Sequence, residues 1–206
     1  MSPVAALDYA SVLVFALTGA LVASRAQLDI VGFCFMACLT ALGGGTMRDL
    51  LLDREVLWIA NPAYLAVACA AAIAVFFGAH LLESRLRAIL WLDAAALSFA
   101  VPAGAGIAYA AGLGWPLVLV MGVMTGCLGG LMRDVVANEV PLLLKQGEPY
   151  ATCALFGAAA LLLAEGTGML PGRGALIGAM ITFVARAGTL AFGWQLPVYK
   201  SRPPRS

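Results

Sequence analysis

Long apolar runs, separated by short charged segments, dominate the sequence. They cover residues 9–24, 30–47, 56–82, 94–132, 149–164 and 174–194. The run 94–132 carries no charge and contains the turn-forming sequence AGLGWP at 111–116. Because one membrane crossing needs about 20 residues, this run is long enough to cross twice. The pattern therefore predicts seven transmembrane helices.

The composition agrees with a membrane protein. Of 206 residues, 63% are hydrophobic and 11% are charged, against about 25% charged in a soluble domain. We predict a single all-α integral membrane domain over residues 1–206. Residues 1–8 contain no lysine or arginine, so we expect the first span to be retained rather than cleaved as a signal peptide.

The sequence repeats itself at a constant offset. Leu7-Asp8 aligns with Leu92-Asp93, and at the same offset GGTMRD at 44–49 aligns with GGLMRD at 129–134. We predict repeat one at 5–84, repeat two at 90–166, and an added seventh helix at 174–195. Since each repeat holds three spans, the second copy enters the membrane with opposite polarity, which predicts a 3+3 inverted-topology repeat.

Consecutive glycines interrupt the second and fifth spans of this scheme. Each glycine costs about 1 kcal/mol relative to alanine in a helix interior, and freed backbone groups need protein or water rather than lipid. We predict a helix break that lines an aqueous cavity, formed by Gly43, Gly44, Gly45, Gly129 and Gly130. The alternative is close helix contact, which we prefer for the isolated Gly19 and Gly104.

Charged and hydroxyl side chains accompany these glycines. An intramembrane charge indicates a functional site by default, although Arg48 has the alternative of reaching the headgroups. The predicted pore-lining polar residues are Thr40, Thr46, Arg48, Asp49, Thr125, Arg133 and Asp134.

Three further charges are supporting candidates. Asp8 and Asp93 each begin the first span of a repeat, where they either cap a helix N-terminus or contribute to the pore. Arg186 lies within the seventh span and needs a partner. We expect a repeat carboxylate to pair with it and hold the seventh helix against the others.

Several functions lack support in the sequence. There is no nucleophile motif, phosphate loop or histidine-rich cluster, so we predict neither an enzyme nor a metal or other cofactor. The five cysteines lie in apolar spans, where a packing role is favoured over redox or metal roles. The net charge of +1 gives no nucleic-acid footprint.

The distribution of basic residues predicts the orientation. With the N-terminus outside, eight basic residues lie in cytoplasmic segments and three lie outside. The eight are Arg25, Arg85, Arg87, Arg133, Lys145, Lys200, Arg202 and Arg205. We therefore predict a multi-pass cell-membrane protein with an external N-terminus and a cytoplasmic C-terminus.

Over residues 7–197 the sequence resembles the prokaryotic relatives of the trimeric intracellular cation (TRIC) channels. The resemblance rests on Asp8 with GGGTMRD at 43–49, on Asp93 with GGLMRD at 129–134, and on NEVP at 138–141. Arg186, followed by LP at 196–197, completes it. The second motif departs from the first, with Leu128 and Leu131 in place of Gly43 and Thr46.

The resemblance implies seven helices in a 3+3+1 arrangement, a homotrimer in the lipid bilayer, and an hourglass pore within each protomer. It also implies kinked second and fifth helices and permeation of monovalent cations, chiefly potassium. Bacterial relatives also carry the label of glycine transporters. A potassium or sodium channel is thus the leading hypothesis. A small-solute carrier, for example for glycine, and a membrane protein without transport activity are the alternatives.

Overall fold

The computed structural model describes residues 3–81, 85–167 and 172–199. Within these residues, seven long helices carry the apolar runs. They are α1 (Pro3–Arg25), α2 (Ile30–Leu51), α4 (Ala63–Gly78), α5 (Arg85–Ala110), α6 (Trp115–Val136), α7 (Tyr150–Gly166) and α8 (Gly174–Phe192), while α3 (Leu57–Ala60) is a single turn. Short 3₁₀ turns follow α4 at Ala79–Leu81 and α6 at Leu142–Leu144.

These helices confirm the predicted all-α membrane fold. Six of the long helices are long and apolar enough to cross a membrane, and α7 is a shorter apolar helix of 17 residues. The turn predicted at 111–116 lies between α5 and α6. Gly112 adopts a left-handed φ of 74° there, and α6 begins at Trp115 with a proline in its first turn.

The third predicted run is not one continuous helix. Asn61 ends α3 in an extended conformation, with φ −141° and ψ 96°, and α4 begins at Ala63. The reason is Pro62, because a proline disfavours helical geometry in the residue before it. The third crossing is therefore made by α4 and its 3₁₀ extension, and α3 contacts α2 and α4.

The helix contacts repeat between the two halves. In the first half α1 packs against α2 and α4, and in the second half α5 packs against α6 and α7 in the same way. The halves meet along α1–α5 and along α2–α6, while α8 packs onto α5 and α7. The two first helices, α1 and α5, are the most buried of the six spans, so they form the centre of the molecule.

Glycines at repeat-related positions allow these close helix contacts. A Cβ on Gly19 would meet the Met36 carbonyl, and a Cβ on Gly104 would lie 2.8 Å from the Met121 carbonyl. This confirms the close-packing role expected of Gly19 and Gly104. Without a hydrophobic driving force between helices in lipid, such contact is a main source of association.

The ends of the predicted segments differ from the structure in detail. Helix α8 ends at Phe192 rather than 195, because Gly193 takes a left-handed φ of 68° and caps the helix. The last residues of the predicted repeat one, 82–84, lie outside the described residues. So do Lys200, Arg202 and Arg205, on which the orientation argument partly depends.

Candidate functional site

The first repeat builds a buried cluster around Arg48 of α2. Its Nε donates to Oδ1 of Asp49 at 2.8 Å, and its Nη1 donates to Oδ1 of Asp8 on α1 at 3.0 Å. Nη2 adds contacts of 3.1 Å to Asp49 and 3.5 Å to Asp8. We call Asp8, Arg48 and Asp49 the first cluster. Arg48 is only 1% exposed, so its charge is compensated by carboxylates rather than by water.

The second oxygen of Asp49 extends this cluster into the backbone. Oδ2 accepts a hydrogen bond from the Leu57 amide at 3.0 Å, at the start of α3. That amide is one of those that a helix N-terminus leaves without an intrahelical partner. Asp49 therefore fixes the α2–α3 connection over the cluster, and Gly45 leaves room beside the guanidinium.

The second repeat builds the same cluster at the repeat-related positions. Arg133 donates to Asp134 at 2.8 Å and to Asp93 at 3.0 Å. Oδ2 of Asp134 accepts from the Leu142 amide at 2.9 Å. We call Asp93, Arg133 and Asp134 the second cluster. The duplicated motif thus reproduces a bonding pattern and not only a sequence.

Each cluster has an excess of negative charge. Two carboxylates face one guanidinium, so the formal charge of each group is −1. Buried charges are normally paired, and ionisable residues inside a membrane indicate a functional site by default.

The two clusters differ in what covers the first-helix aspartate. Tyr150 of α7 donates its hydroxyl to Oδ2 of Asp93 at 2.7 Å, and Asp93 is fully buried. In the first cluster the corresponding oxygen of Asp8 has a long contact of 3.5 Å with Arg48, and the Asp8 side chain keeps 10% exposure. The first-helix aspartate is therefore covered by a protein side chain in the second cluster and partly exposed in the first.

The added helix α8 reinforces this closure. Arg186 donates to Glu148 at 2.9 Å and to Thr189 at 3.0 Å, and its guanidinium carbon lies 4.9 Å from the centre of the Tyr150 ring. After α8 the chain returns to the same loop, where the Leu196 amide donates to the Gly147 carbonyl at 2.8 Å.

Glu148 lies in the loop before α7 and is shared by two cations. Partial burial raises the pKa of its carboxyl, but hydrogen bonds from Lys145 and Arg186 outweigh burial and lower the pKa below its usual value. The carboxylate form is therefore stabilised, and it holds α8 onto the loop at neutral pH.

A cavity of about 400 Å³, the vestibule, opens beside the first cluster. Its polar lining consists of Asp8, Tyr9, Arg48, Asp49, Arg54, Glu55, Asn61 and Tyr64. Tyr9 and Tyr64 stack with ring centres 4.0 Å apart, and Asn61 donates to the Tyr9 hydroxyl at 2.6 Å. The stacked tyrosines therefore form part of the wall of the vestibule.

A much smaller space, the central chamber, lies where the two repeats meet. Its volume is about 10 Å³, close to the size needed by one water molecule. Its polar lining consists of Asp8, Ser11, Thr40 and Thr125, with Gly44 and Gly45 beside them. Asp8 lines both the vestibule and the chamber, so it stands between the two spaces.

The predicted breaks in α2 and α6 are wrong. Both helices continue as α-helix across their glycines. Instead, a Cβ on Gly44 would meet the Thr125 carbonyl, and a Cβ on Gly129 would meet the Thr40 carbonyl. The absence of side chains at these glycines lets α2 and α6 cross at short distance, and this close contact compensates for the poor helix propensity of glycine.

Two candidates point away from the chamber. Thr46 donates to the Leu42 carbonyl at 2.7 Å and accepts from the Trp58 indole at 3.0 Å. With Gly43 it lines an apolar outer groove of about 370 Å³. Thr46 therefore lies away from the central chamber, because its helix position turns it outward, whereas Thr40 and Thr125 are among the residues that line the chamber.

The structure also corrects or refines three interpretations of the charges. Asp8 and Asp93 do not cap helices, because they lie inside α1 and α5 and bind arginines. Arg48 does not extend to the headgroups. The partner of Arg186 is Glu148, a loop carboxylate of the second repeat, rather than one of the duplicated aspartates, and Nε of Arg186 has no hydrogen-bond partner among the described residues.

Sequence reasoning missed several site residues. Leu57 and Leu142 contribute backbone amides. The two residues are separated by the same offset as the repeated motifs, so the repeat could have identified them as a related pair. Ser11 and Tyr150 carry no such signal, because single hydroxyls in apolar helices are common. Glu148 follows Lys145 in a short charged segment, which marks a loop but does not identify the partner of the carboxylate.

Sequence comparison gives the family. The sequence model described as "Glycine transporter" matches residues 5–80 and again 90–165, at the same offset as the two GGxMRD motifs. The UPF0126 inner membrane protein YadS of Escherichia coli K12 is 33% identical over 199 residues, covering 94% of each chain. The UPF0126 membrane protein YvgT of Bacillus subtilis is 34% identical, covering 93% of this chain and 94% of YvgT.

Solved structures give the fold. A TRIC trimeric intracellular cation channel orthologue from Rhodobacter sphaeroides is 40% identical, with a TM-score of 0.90, over 94% of this chain and all of that one. A prokaryotic TRIC channel solved in 0.5 M KCl is 26% identical, with a TM-score of 0.87, over 94% of this chain and 98% of its own. These relatives are channels and not enzymes. The chain belongs to the glycine transporter family of duplicated membrane proteins, and it has the fold of the prokaryotic TRIC channels.

Proposed function

We propose that this protein is a channel for monovalent cations, chiefly potassium, with one path inside each protomer. The observation that carries the proposal is the charge of the two clusters, each of which buries two carboxylates with one guanidinium. A path that passes two sites of net negative charge favours cations over anions. Since each arginine is paired with two carboxylates, its positive charge opposes cation entry less than a free arginine would.

The solved relatives support this proposal, because they are TRIC cation channels and one is described as trimeric. We propose the same homotrimer here. The trimer is tested by the mass of the detergent-solubilised protein, corrected for bound detergent. A monomeric mass would contradict the assembly while leaving a path within one protomer possible.

The matching bond patterns of the clusters support an inverted repeat with three spans in each half. We propose an external N-terminus, so that the vestibule lies toward the outside and the Tyr150 side lies toward the cytoplasm. Single cysteines introduced at Glu55 and at Lys145 in a cysteine-free variant test this orientation. A membrane-impermeant thiol reagent added to intact cells should label position 55 and not position 145.

A glycine carrier is the alternative that the family description favours. The vestibule is large enough for glycine, and an arginine and an aspartate line it. However, Nε, Nη1 and Nη2 of Arg48 already donate to Asp8 and Asp49. A substrate carboxylate would have to displace a protein carboxylate, and this makes the carrier the weaker candidate.

Recordings from purified protein in planar bilayers under a potassium gradient separate the two functions. A channel gives resolved unitary currents whose reversal potential lies toward the potassium equilibrium potential. Counterflow of radiolabelled glycine in proteoliposomes of the same preparation tests the carrier. Saturable glycine exchange without unitary currents would overturn the channel proposal.

A further inference from the structure

Thr125 is one of the residues that line the central chamber, and its hydroxyl differs from the others there. Thr125 is 4% exposed, and its Oγ1 has no hydrogen-bond partner among the described residues. Its repeat counterpart, Thr40, donates to the Met36 carbonyl at 2.6 Å. A buried unpaired hydroxyl is costly, about 1–3 kcal/mol, so the orphan at Thr125 calls for a ligand.

The rest of the polar lining offers electron pairs rather than protons. Ser11 donates its hydroxyl proton to the Asp8 carbonyl at 2.7 Å, and Thr40 uses its own proton within α2. Their oxygens therefore present lone pairs to the chamber. Asp8 adds a carboxylate that belongs to a cluster with a net charge of −1. A lining of oxygen acceptors suits a cation and disfavours an anion.

We propose that the central chamber is a binding site for a single, largely dehydrated monovalent cation, held by Asp8, Ser11, Thr40 and Thr125. The site rests on the proposed channel function and specifies where the ion loses its water. The chamber accommodates about one water-sized particle, so an ion that enters from the vestibule must exchange hydration for these oxygens. Thr125 comes from the second repeat and the other three from the first, so the site lies at the joint between the repeats.

The same arrangement explains why the site forms on one side of the joint only. Oδ2 of Asp93 accepts a hydrogen bond from the Tyr150 hydroxyl, and Asp93 has an exposure of 0%. Asp8 keeps a weakly bonded oxygen beside both cavities. The first cluster therefore supplies the ion-binding carboxylate, and the second cluster supplies charge from a distance.

Thermal unfolding of the purified full chain in detergent tests the site. Potassium chloride replaces N-methyl-D-glucamine chloride at constant ionic strength, and the potassium concentration for half-maximal stabilisation is measured. Thr125→Val keeps the shape and removes the oxygen, so we expect this concentration to rise about tenfold. Thr18→Val is the matched control, because Thr18 is fully buried and donates to the Phe15 carbonyl away from the chamber.

The outcomes separate this site from the channel proposal. Equal potassium dependence in wild type and Thr125→Val would overturn the site, even if unitary currents are present. Potassium stabilisation that Thr125→Val weakens, in a protein without currents, would overturn the channel and keep the site. If Thr125→Val does not fold, the potassium concentration for half-maximal stabilisation is measured for Ser11→Ala instead. This variant also removes one oxygen from the chamber, so an unchanged concentration would overturn the site.

Discussion

The two arginine clusters have nearly identical internal bonds but different surroundings. Arg48 and Arg133 each bind a neighbouring aspartate at 2.8 Å and a first-helix aspartate at 3.0 Å. The surroundings of that first-helix aspartate diverge. Asp8 borders a vestibule of about 400 Å³, whereas Asp93 is sealed by Tyr150 and backed by α8.

This difference shows where a duplicated membrane protein becomes asymmetric. The buried bonds stay the same in both repeats, because breaking any one of them leaves a charge uncompensated in a low-dielectric interior. Positions outside these bonds can differ between the repeats. Here they are Tyr9, which aligns with Ala94, and Tyr150, which aligns with Leu65, while α8 has no counterpart at all.

Removing the arginines should have the largest effect and should separate the two clusters. We expect Arg133→Met to lower stability by about 3–5 kcal/mol, because two buried carboxylates lose their partner. For a chain of this size that corresponds to about 10 °C in melting temperature. Arg48→Met should cost less, since water in the vestibule can solvate Asp8. Thermal unfolding in detergent measures both.

Arg25→Met is the control for this pair. Arg25 forms an ion pair with Glu139 at 3.1 Å, but both side chains are about a third or more exposed, so the loss should stay below about 1 kcal/mol. An Arg48→Met variant that is less stable than Arg133→Met would show that water in the vestibule does not solvate Asp8.

Alanine substitutions on the two sides of the α2–α6 crossing should lower stability by the same amount. An added Cβ at Gly44 or Gly129 would meet a backbone carbonyl, which cannot move without shifting a helix. We expect Gly44→Ala and Gly129→Ala each to lower stability by about 1–3 kcal/mol through overpacking. Gly78→Ala is the control, because its added Cβ meets no atom within 4 Å beyond the adjoining backbone of its own helix. A large difference between Gly44→Ala and Gly129→Ala would contradict a symmetric crossing.

Loss of the Tyr150 hydroxyl should make the second cluster resemble the first. Tyr150→Phe leaves Oδ2 of Asp93 without its donor, at a cost of about 1–2 kcal/mol. With the carboxylate freed, we expect a higher rate of potassium flux into proteoliposomes. Tyr64→Phe keeps the ring that stacks on Tyr9 and is the matched control. Unchanged flux in Tyr150→Phe would mean that Tyr150 does not restrict the path.

Much of the fold follows from the sequence. The gaps between charges predict seven crossings, and the described residues contain an apolar helix for each, six of them long enough to span a membrane and α7 shorter. The constant offset between the two GGxMRD motifs predicts two halves, and the family model also matches the chain twice, at residues 5–80 and 90–165. These features are predictable because they depend on the spacing of charges and on repeated residues, both of which can be read directly along the chain.

The partners of the charged residues were less predictable. The sequence identifies Arg48, Asp8 and Arg186 as unusual, but it does not say which carboxylate each arginine meets. Glycines that read as a helix break prove to be a crossing point, because only the partner helix distinguishes a flexible glycine from a close contact. The orphan hydroxyl of Thr125 is a property of three-dimensional surroundings alone.

The smallest expected effect concerns the loop that α8 holds, and it depends on pH. The pKa of Glu148 is lowered in the folded protein. A lowered pKa adds stability above the unfolded value, about 4.3, and this stability is lost as the pH falls through the folded value. Glu148→Gln should therefore be less stable than wild type at pH 7, and the difference should shrink below about pH 4.

Melting temperatures of both proteins between pH 3 and pH 7 in one detergent measure this difference. Glu139→Gln is the control, because its exposed ion pair with Arg25 contributes at most about 1 kcal/mol. The cations that bind Glu148 are Lys145 and Arg186, both outside the first repeat, so the effect should be confined to the second half. A Glu148→Gln variant with the same stability deficit at pH 3 as at pH 7 would show that the carboxylate charge is not what holds α8 in place.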